Sequence, residues 1–291
     1  MTDDNLHIKE KLKELECFTN EKYLNRHLVA PIGLEKMQRV VNSLQQASAF
    51  LKAAIKVEMQ VKPLLLYYAS LNYFLGLITL VGKTVDSNTH GMTIDANNED
   101  NKDTLLDIKI EFKGKSSLQA ISDLLKVDMP RGVWPLRDFL DSIPEISTEY
   151  IRAFQRPSHA ILVESSKISW GANIDRIHVN EGLNVEELIN LITKETPCFK
   201  ETYLDIQIPR EKLLVLIRKL DKTPKTEKSL DGRRYIIAGH REENNKLDPL
   251  PAVLNNHIAL FALSYFCRYF PEIWVPCISA TNISIKKMLV I

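Results

Sequence analysis

Residues 64–81 read LLLYYASLNYFLGLITLV, eighteen positions without a formal charge, with Lys62 before them and Lys83 after. The reading of this stretch decides the fold. Its length reaches the lower limit for a helix that crosses a bilayer. Against that, Ser70, Asn72 and Thr79 interrupt it. Its two adjacent tyrosines, Tyr67 and Tyr68, stand near its start rather than in belts at both ends. A helix that is apolar nearly all round serves equally as the central helix of a soluble core. We read 64–81 as that core helix, with Pro63 in its first turn, where a missing N–H costs nothing, and expect no membrane span. The second apolar run, 257–267, is too short to cross a bilayer.

Toward the N-terminus, Met37, Val40, Val41, Leu44, Ala47, Ala49, Phe50, Leu51, Ala54 and Ile55 recur with a period near 3.6, which predicts a helix over 34–61. Ala30-Pro31-Ile32-Gly33 breaks it from an earlier helix. Beyond the core helix the character changes. Leu106, Ile108, Ile110 and Phe112 alternate with charged residues, the period of two that marks a half-buried strand. A short helix is predicted at 117–125, and 130–144 reads as a connection bearing Pro, Trp and Arg. Further strands are predicted at 160–163, 174–179, 203–208 and 235–238, with helices at 185–193 and 210–220. Residues 249–274 return to helix, which Pro271 is expected to end, followed by a β-branched tail. The fold class is therefore α+β: a mainly helical body from the N- and C-terminal helices, with a β-containing middle insertion. We expect one composite domain over 1–291, helical in 1–92 and 249–275 and mixed α/β in 104–240.

The chain has 291 residues, 45% apolar and 26% charged, which excludes disorder, collagen and coiled coil as its main class. A net charge of +1 leaves no whole-molecule field for nucleic acid or an anionic membrane. That near-neutrality is a cancellation. Residues 86–107 hold six acidic side chains against Lys102 alone, and 210–241 hold ten basic against four acidic. The acidic stretch is not a calcium loop: counted from Asp95, the glycine and glutamate that such a loop needs at its sixth and twelfth positions are Asp100 and Leu106. The basic stretch is the one candidate for RNA phosphates, with Arg233 and Arg234 after a turn at Asp231-Gly232. Only Tyr235 offers a stacking surface there.

Cys17, Cys198, Cys267 and Cys277 form no C-x-x-C pair, and the N-terminus MTDDNLHIKEKLKEL has no apolar signal region. A reducing cytoplasm follows from both. No Walker loop, G-x-G-x-x-G, G-x-S-x-G or H-E-x-x-H is present. We expect no cofactor and no metal site.

Two segments carry a family likeness. The first is Lys62-Pro63-Leu64-Leu65-Leu66-Tyr67-Tyr68 with Leu71-Asn72, followed by His90-Gly91-Met92. The second is Leu263-Ser264 with Arg268-Tyr269, Pro271 and Trp274. Together, and with Gly114 before a short amphipathic helix, they resemble the YaaC-like family of bacterial proteins across residues 40–275. The resemblance implies a cytoplasmic protein with no established activity. It also implies more helix after Trp274 than the seventeen residues present here. A second likeness runs over 62–92: Tyr67-Tyr68-Ala69 and then His90-Gly91 are similar to the first helices of HEPN modules, helical bundles that include metal-independent ribonucleases of bacterial defence systems. Their Arg and His, four to six residues apart on a helix, have a nearest counterpart here in Arg234 and His240. These read as a strand ending in a Gly turn, so the signature is not met.

The residues that could carry chemistry cluster near the two family-like segments. His90, just after the core helix, can act as acid or base near neutral pH. Arg268 closes an apolar stretch and either pairs with a carboxylate or binds an anion. His257 lies about three helical turns earlier, toward the same face. Tyr68 and Asn72 stand four apart, as do Ser264 and Arg268, so each pair shares a helix face. Asn72, in an apolar helix, needs a hydrogen-bond partner. We thus expect His90, Arg268 and His257 as catalytic candidates, and Tyr68, Asn72, Ser264, Arg233 and Arg234 as binding candidates. Two functions fit: a YaaC-like protein acting through a protein partner or its own copies, in stress or phage defence; or a HEPN-like RNA-binding protein or ribonuclease.

Overall fold

Asn20 starts a helix after a helical stretch at 12–17: its side chain accepts from the backbone N–H of Lys22 and Tyr23 and caps α1 (Glu21–His27). The long helices α2 (Leu34–Lys56) and α3 (Lys62–Leu80) follow, the second opening on Pro63. Leu24 and the α2 residues Met37, Val40, Val41 and Leu44 form one buried cluster, against which Tyr73 and Leu80 of α3 pack. The two long helices approach closely at Gly76, where a Cβ would come within 2.9 Å of Leu44 Cδ2. This computed structural model describes residues 10, 12–28, 32–83, 85, 89–94, 105–114, 116–154, 156, 158–168, 171–177, 227–229, 233–237, 239–242 and 245–279.

The chain divides into two units, each discontinuous in sequence. The first combines Met1–Thr93, Lys113–Met129 and Leu260–Pro276; the second combines Ile94–Phe112, Pro130–Ala259 and Cys277–Ile291. In the first unit, α4 (Ser117–Leu125) packs on α3, its N-terminus capped by Ser116, which accepts from the Gln119 N–H. The C-terminal helices α7 (Ala252–Tyr269) and α8 (Pro271–Ser279) contribute from Leu260 onward. They pack on the N-terminal helices: Trp274 is buried, and its indole N–H donates to the Gln60 carbonyl at 2.9 Å. Helix α7 stops at Tyr269, just before Pro271 as expected, but the chain does not leave helix there. Pro271 begins α8 from a first-turn position, where it loses no hydrogen bond.

Helix α3 is buried on two faces, with Ala69 and Gly76 roughly opposite the main apolar stripe. Pro63, Tyr67, Ala69, Leu71, Phe74, Gly76 and Ile78 are buried, and 39% of its apolar window is enclosed. It is long and apolar enough to cross a membrane, a length and composition that the core helix of a soluble protein shares.

In the second unit, β2 (Lys109–Phe112) pairs antiparallel with β3 (Gly132–Pro135), in a sheet ordered β1-β2-β3 with β1 (Met92–Ile94). Ile110 and Phe112 are buried and Lys109 and Glu111 exposed, the alternation that the period of two predicts. The strand starts later than its apolar pattern suggests. Residues Leu105–Asp107 wind a 3-10 turn, and the Ile108 carbonyl accepts from Leu136 N–H. The segment 130–144 is more than a connection: it holds β3 and the short helix α5 (Leu136–Leu140), with Pro135 extended at the helix start. Helix α6 (Ser147–Phe154) follows.

A four-stranded antiparallel sheet comprises β4 (Ala160–Ile168), β5 (Gly171–Ile177), β6 (Glu227–Lys228) and β7 (Arg234–Ile237), in the order β5-β4-β7-β6. A hairpin of β8 (His240–Glu242) and β9 (Asn245–Leu247) leads to α7. The strand expected at 203–208, the helices at 185–193 and 210–220, the acidic residues 95–103 and the basic residues 210–226 lie outside the described residues. The architecture is a helical body built from both ends of the chain, with a β-containing middle.

Candidate functional site

His90 is set in place by its glycine neighbour. Gly91 has φ +81, and a Cβ there would run into the Ser116 side chain, so the position admits only glycine without strain. The turn is tied to the start of α4: Ser117 N–H donates to the Thr89 carbonyl (3.0 Å) and Leu118 N–H to the His90 carbonyl (3.3 Å). The half-buried imidazole then meets the fully buried Tyr67, with Tyr67 Oη 2.7 Å from His90 Nδ1. The Phe261 ring from α7 lies 5.6 Å from that of Tyr67 and 5.8 Å from that of His90.

Burial pushes the Tyr67 hydroxyl well above its usual value of 10.0, the neighbouring Tyr68 adds to this, and the Arg268 charge opposes it. Burial lowers His90 below 6.5, and the Arg268 cation lowers it further. Both groups are thus neutral at pH 7. An imidazole nitrogen accepts better than a phenol oxygen, so Tyr67 donates to Nδ1 and His90 carries its own proton on Nε2. Arg268 donates through Nε to the Ser264 carbonyl (3.1 Å), and its guanidinium stands 5.0 Å from the Tyr269 ring centre. Among the described residues, no carboxylate lies within ion-pair distance of it. This arrangement presents a cation and a neutral imidazole N–H, two donors suited to an anion.

The other expected site residues are placed differently. His257 is fully buried on α7, eleven residues before Arg268 and about 16 Å away along the helix axis, so the two cannot share one atom of a ligand. Tyr68 stacks on Phe50, with ring centres 5.6 Å apart. Asn72 finds its partner in its own helix, donating to the Tyr68 carbonyl at 2.8 Å. Ser264 is buried and donates to the Phe261 carbonyl at 2.8 Å. Arg233 is exposed, with its guanidinium 5.9 Å from the Tyr235 ring centre; Arg234 belongs to β7, opposite Val163 and Lys228.

A second cluster lies in the other unit. After α5, the Asp141 carbonyl accepts from Ser158 Oγ (2.6 Å), His159 N–H (2.9 Å) and Ala160 N–H (3.1 Å), which fastens this turn to the start of β4. The register places Ala160 opposite Ile237 in the β4–β7 pair. His159, just before β4, and His240, just after β7, therefore arrive at the same end of that pair. Their rings lie parallel within 4°, with centres 3.8 Å apart. His240 Nε2 is 3.2 Å from Asp141 Oδ1, and its Nδ1 is 3.8 Å from Asp138 Oδ1. Ser142 Oγ sits 2.9 Å from Asp141 Oδ1 and 3.2 Å from His240 Nε2. All five side chains are buried. Burial pushes the Asp141 carboxyl up to about 7, against the opposing pull of His159, Ser142 and Arg137. Sequence reasoning singled out none of Asp138, Asp141, Ser142 and His159, and weighed His240 only for its spacing from Arg234.

The model of the family described as YaaC-like protein matches residues 7–289. The chain belongs to the YaaC-like family. Among curated proteins and among solved structures, nothing matches it.

Proposed function

We propose that this YaaC-like chain is a cytoplasmic protein that binds a phosphate-bearing ligand, RNA foremost, through Arg268 and His90. The observation that supports this is the Arg268 guanidinium, which has no carboxylate at ion-pair distance among the described residues and whose charge acts on the Tyr67–His90 pair. An arginine fork and an imidazole N–H match phosphate oxygens. Binding fits better than cleavage. A metal-independent ribonuclease needs a base to take the proton from the 2′-hydroxyl, whereas Tyr67 engages His90 Nδ1 and leaves Nε2 as a donor. The test is RNA binding and RNA cleavage by the purified full chain, alongside Arg268→Ala and His90→Ala. Affinity should fall about tenfold or more in each variant, as expected for a lost charge-assisted bond, with no cleavage by the wild type. Unchanged binding in both variants removes this site.

A second reading is favoured by α3. Its apolar window is 39% buried, and Leu77 and Val81, four residues apart at its end, are 41% and 56% exposed. A protein partner or a second copy would cover that face, in a setting of bacterial stress or phage defence. Sedimentation of the wild type beside Leu77→Glu tests the self-association arm: a wild-type monomer at micromolar concentration counts against it.

A further inference from the structure

We infer that Asp141, His159 and His240 form a binding site for one divalent transition-metal ion of the zinc class. Each offers one ligand atom, and these atoms lie within 4.8 Å of one another. Ligands around such an ion sit about 2.0–2.2 Å from it, and an ion lies in the plane of each imidazole that binds it, so binding would turn one ring out of the parallel stack and draw the three ligand atoms together. Two imidazoles and one carboxylate suit zinc and its first-row neighbours, and the absence of a thiolate sets this site apart from the cysteine-rich structural class.

The atoms behind the three ligands carry the argument further. A metal-bound histidine usually gives its other ring N–H to a carboxylate or a backbone carbonyl, which fixes the tautomer and aims the ring. His159 shows that pattern, and His240 has a carboxylate on the matching side, though beyond hydrogen-bond distance. The Gly239 carbonyl lies 3.2 Å from His159 Nδ1; a carbonyl only accepts, so Nδ1 holds the proton and Nε2 the lone pair. Asp138 Oδ1 faces His240 Nδ1 at 3.8 Å, which turns His240 Nε2 toward Asp141 Oδ1. Ser142 Oγ lies within reach of the Asp138 carbonyl (3.0 Å), Asp141 Oδ1 and His240 Nε2, so several acceptor atoms crowd around one hydroxyl proton. A cation at the centre suits that crowding. The ligands come from residues 141, 159 and 240, so the ion would also close a long stretch of chain onto one strand end.

The rival account is a metal-free network in which a protonated imidazole supplies the positive charge. Titration of the full chain, stripped with a chelator and then supplied with zinc chloride or cobalt chloride, separates the two. About one equivalent of zinc should bind per chain, and cobalt should give the visible absorption of a tetrahedral or five-coordinate nitrogen and oxygen site. Asp138→Asn should keep that stoichiometry but bind zinc about 10–100-fold more weakly, and Cys17→Ser, at an exposed thiol, should leave both readings unchanged. Asp141→Asn should lose the cobalt band. If that variant does not fold, the wild-type titration still decides. No stoichiometric zinc in folded wild-type protein, or a cobalt spectrum carrying thiolate charge transfer, overturns the assignment.

Discussion

His90 and His240 each stand beside a glycine and each meet a hydroxyl, yet their surroundings are opposite. His90 is half-buried against Tyr67, under the field of the Arg268 cation. His240 is buried against Ser142 and faces two carboxylates, Asp138 and Asp141. In the first setting burial and a cation both disfavour the imidazolium, so the ring stays neutral, which suits the anion site proposed above. In the second, carboxylate oxygens face the ring, the setting that suits the metal ion inferred above. The same side chain thus stands in opposite electrostatic settings, set by its neighbours.

Truncating each histidine breaks or sharpens this contrast most directly. His240→Ala removes one partner of a buried charged network and should cost about 3–5 kcal/mol. His90→Ala loses one neutral hydrogen bond and some packing, and should cost about 1–2 kcal/mol. Urea unfolding of the two variants measures both, and equal costs would break the contrast. Gly91→Ala comes next. It forces a side chain into a left-handed turn and onto Ser116, at about 1–3 kcal/mol. It should also shift the His90 imidazole resonances, because the turn that places the ring depends on that glycine.

The legible parts of the molecule were those in which a local pattern carries the structure. The apolar periods of 34–61 and 64–81 pointed to α2 and α3, the alternation around Ile110 to β2, and the apolar margins beside His90 and Arg268 to the first cluster. The second cluster carries no such mark. Asp141, His159 and His240 are far apart in the chain and have no ligand spacing, so only tertiary pairing joins them. One signal was available. Strands were expected at 160–163 and 235–238, and pairing them antiparallel puts the residue before one and the residues after the other at the same end. That step needed the register, which nothing local specifies. Proline cuts both ways at Pro271: it stands where one helix stops and also opens the next, from a first-turn position where its missing N–H costs nothing.

The smaller effects test the first cluster alone. Tyr67→Phe deletes the hydroxyl that His90 Nδ1 accepts from, at about 0.5–1.5 kcal/mol. Urea unfolding measures that loss. Arg268→Gln should have the least effect on stability and a clear effect on titration. In the folded chain His90 binds its proton at lower pH than in the unfolded chain, so the unfolded state holds more protons just below pH 6.5. Stability is then full above pH 6.5 and declines as pH falls through the window beneath it. Burial is the larger cause of the shift and the Arg268 cation the lesser. Removing the cation should therefore narrow that window without closing it, raise the His90 pKa partway and flatten the acid-side decline. A His90 titration unmoved by Arg268→Gln would mean that the guanidinium and the imidazole do not share one field, and the anion site would lose the pairing on which it rests.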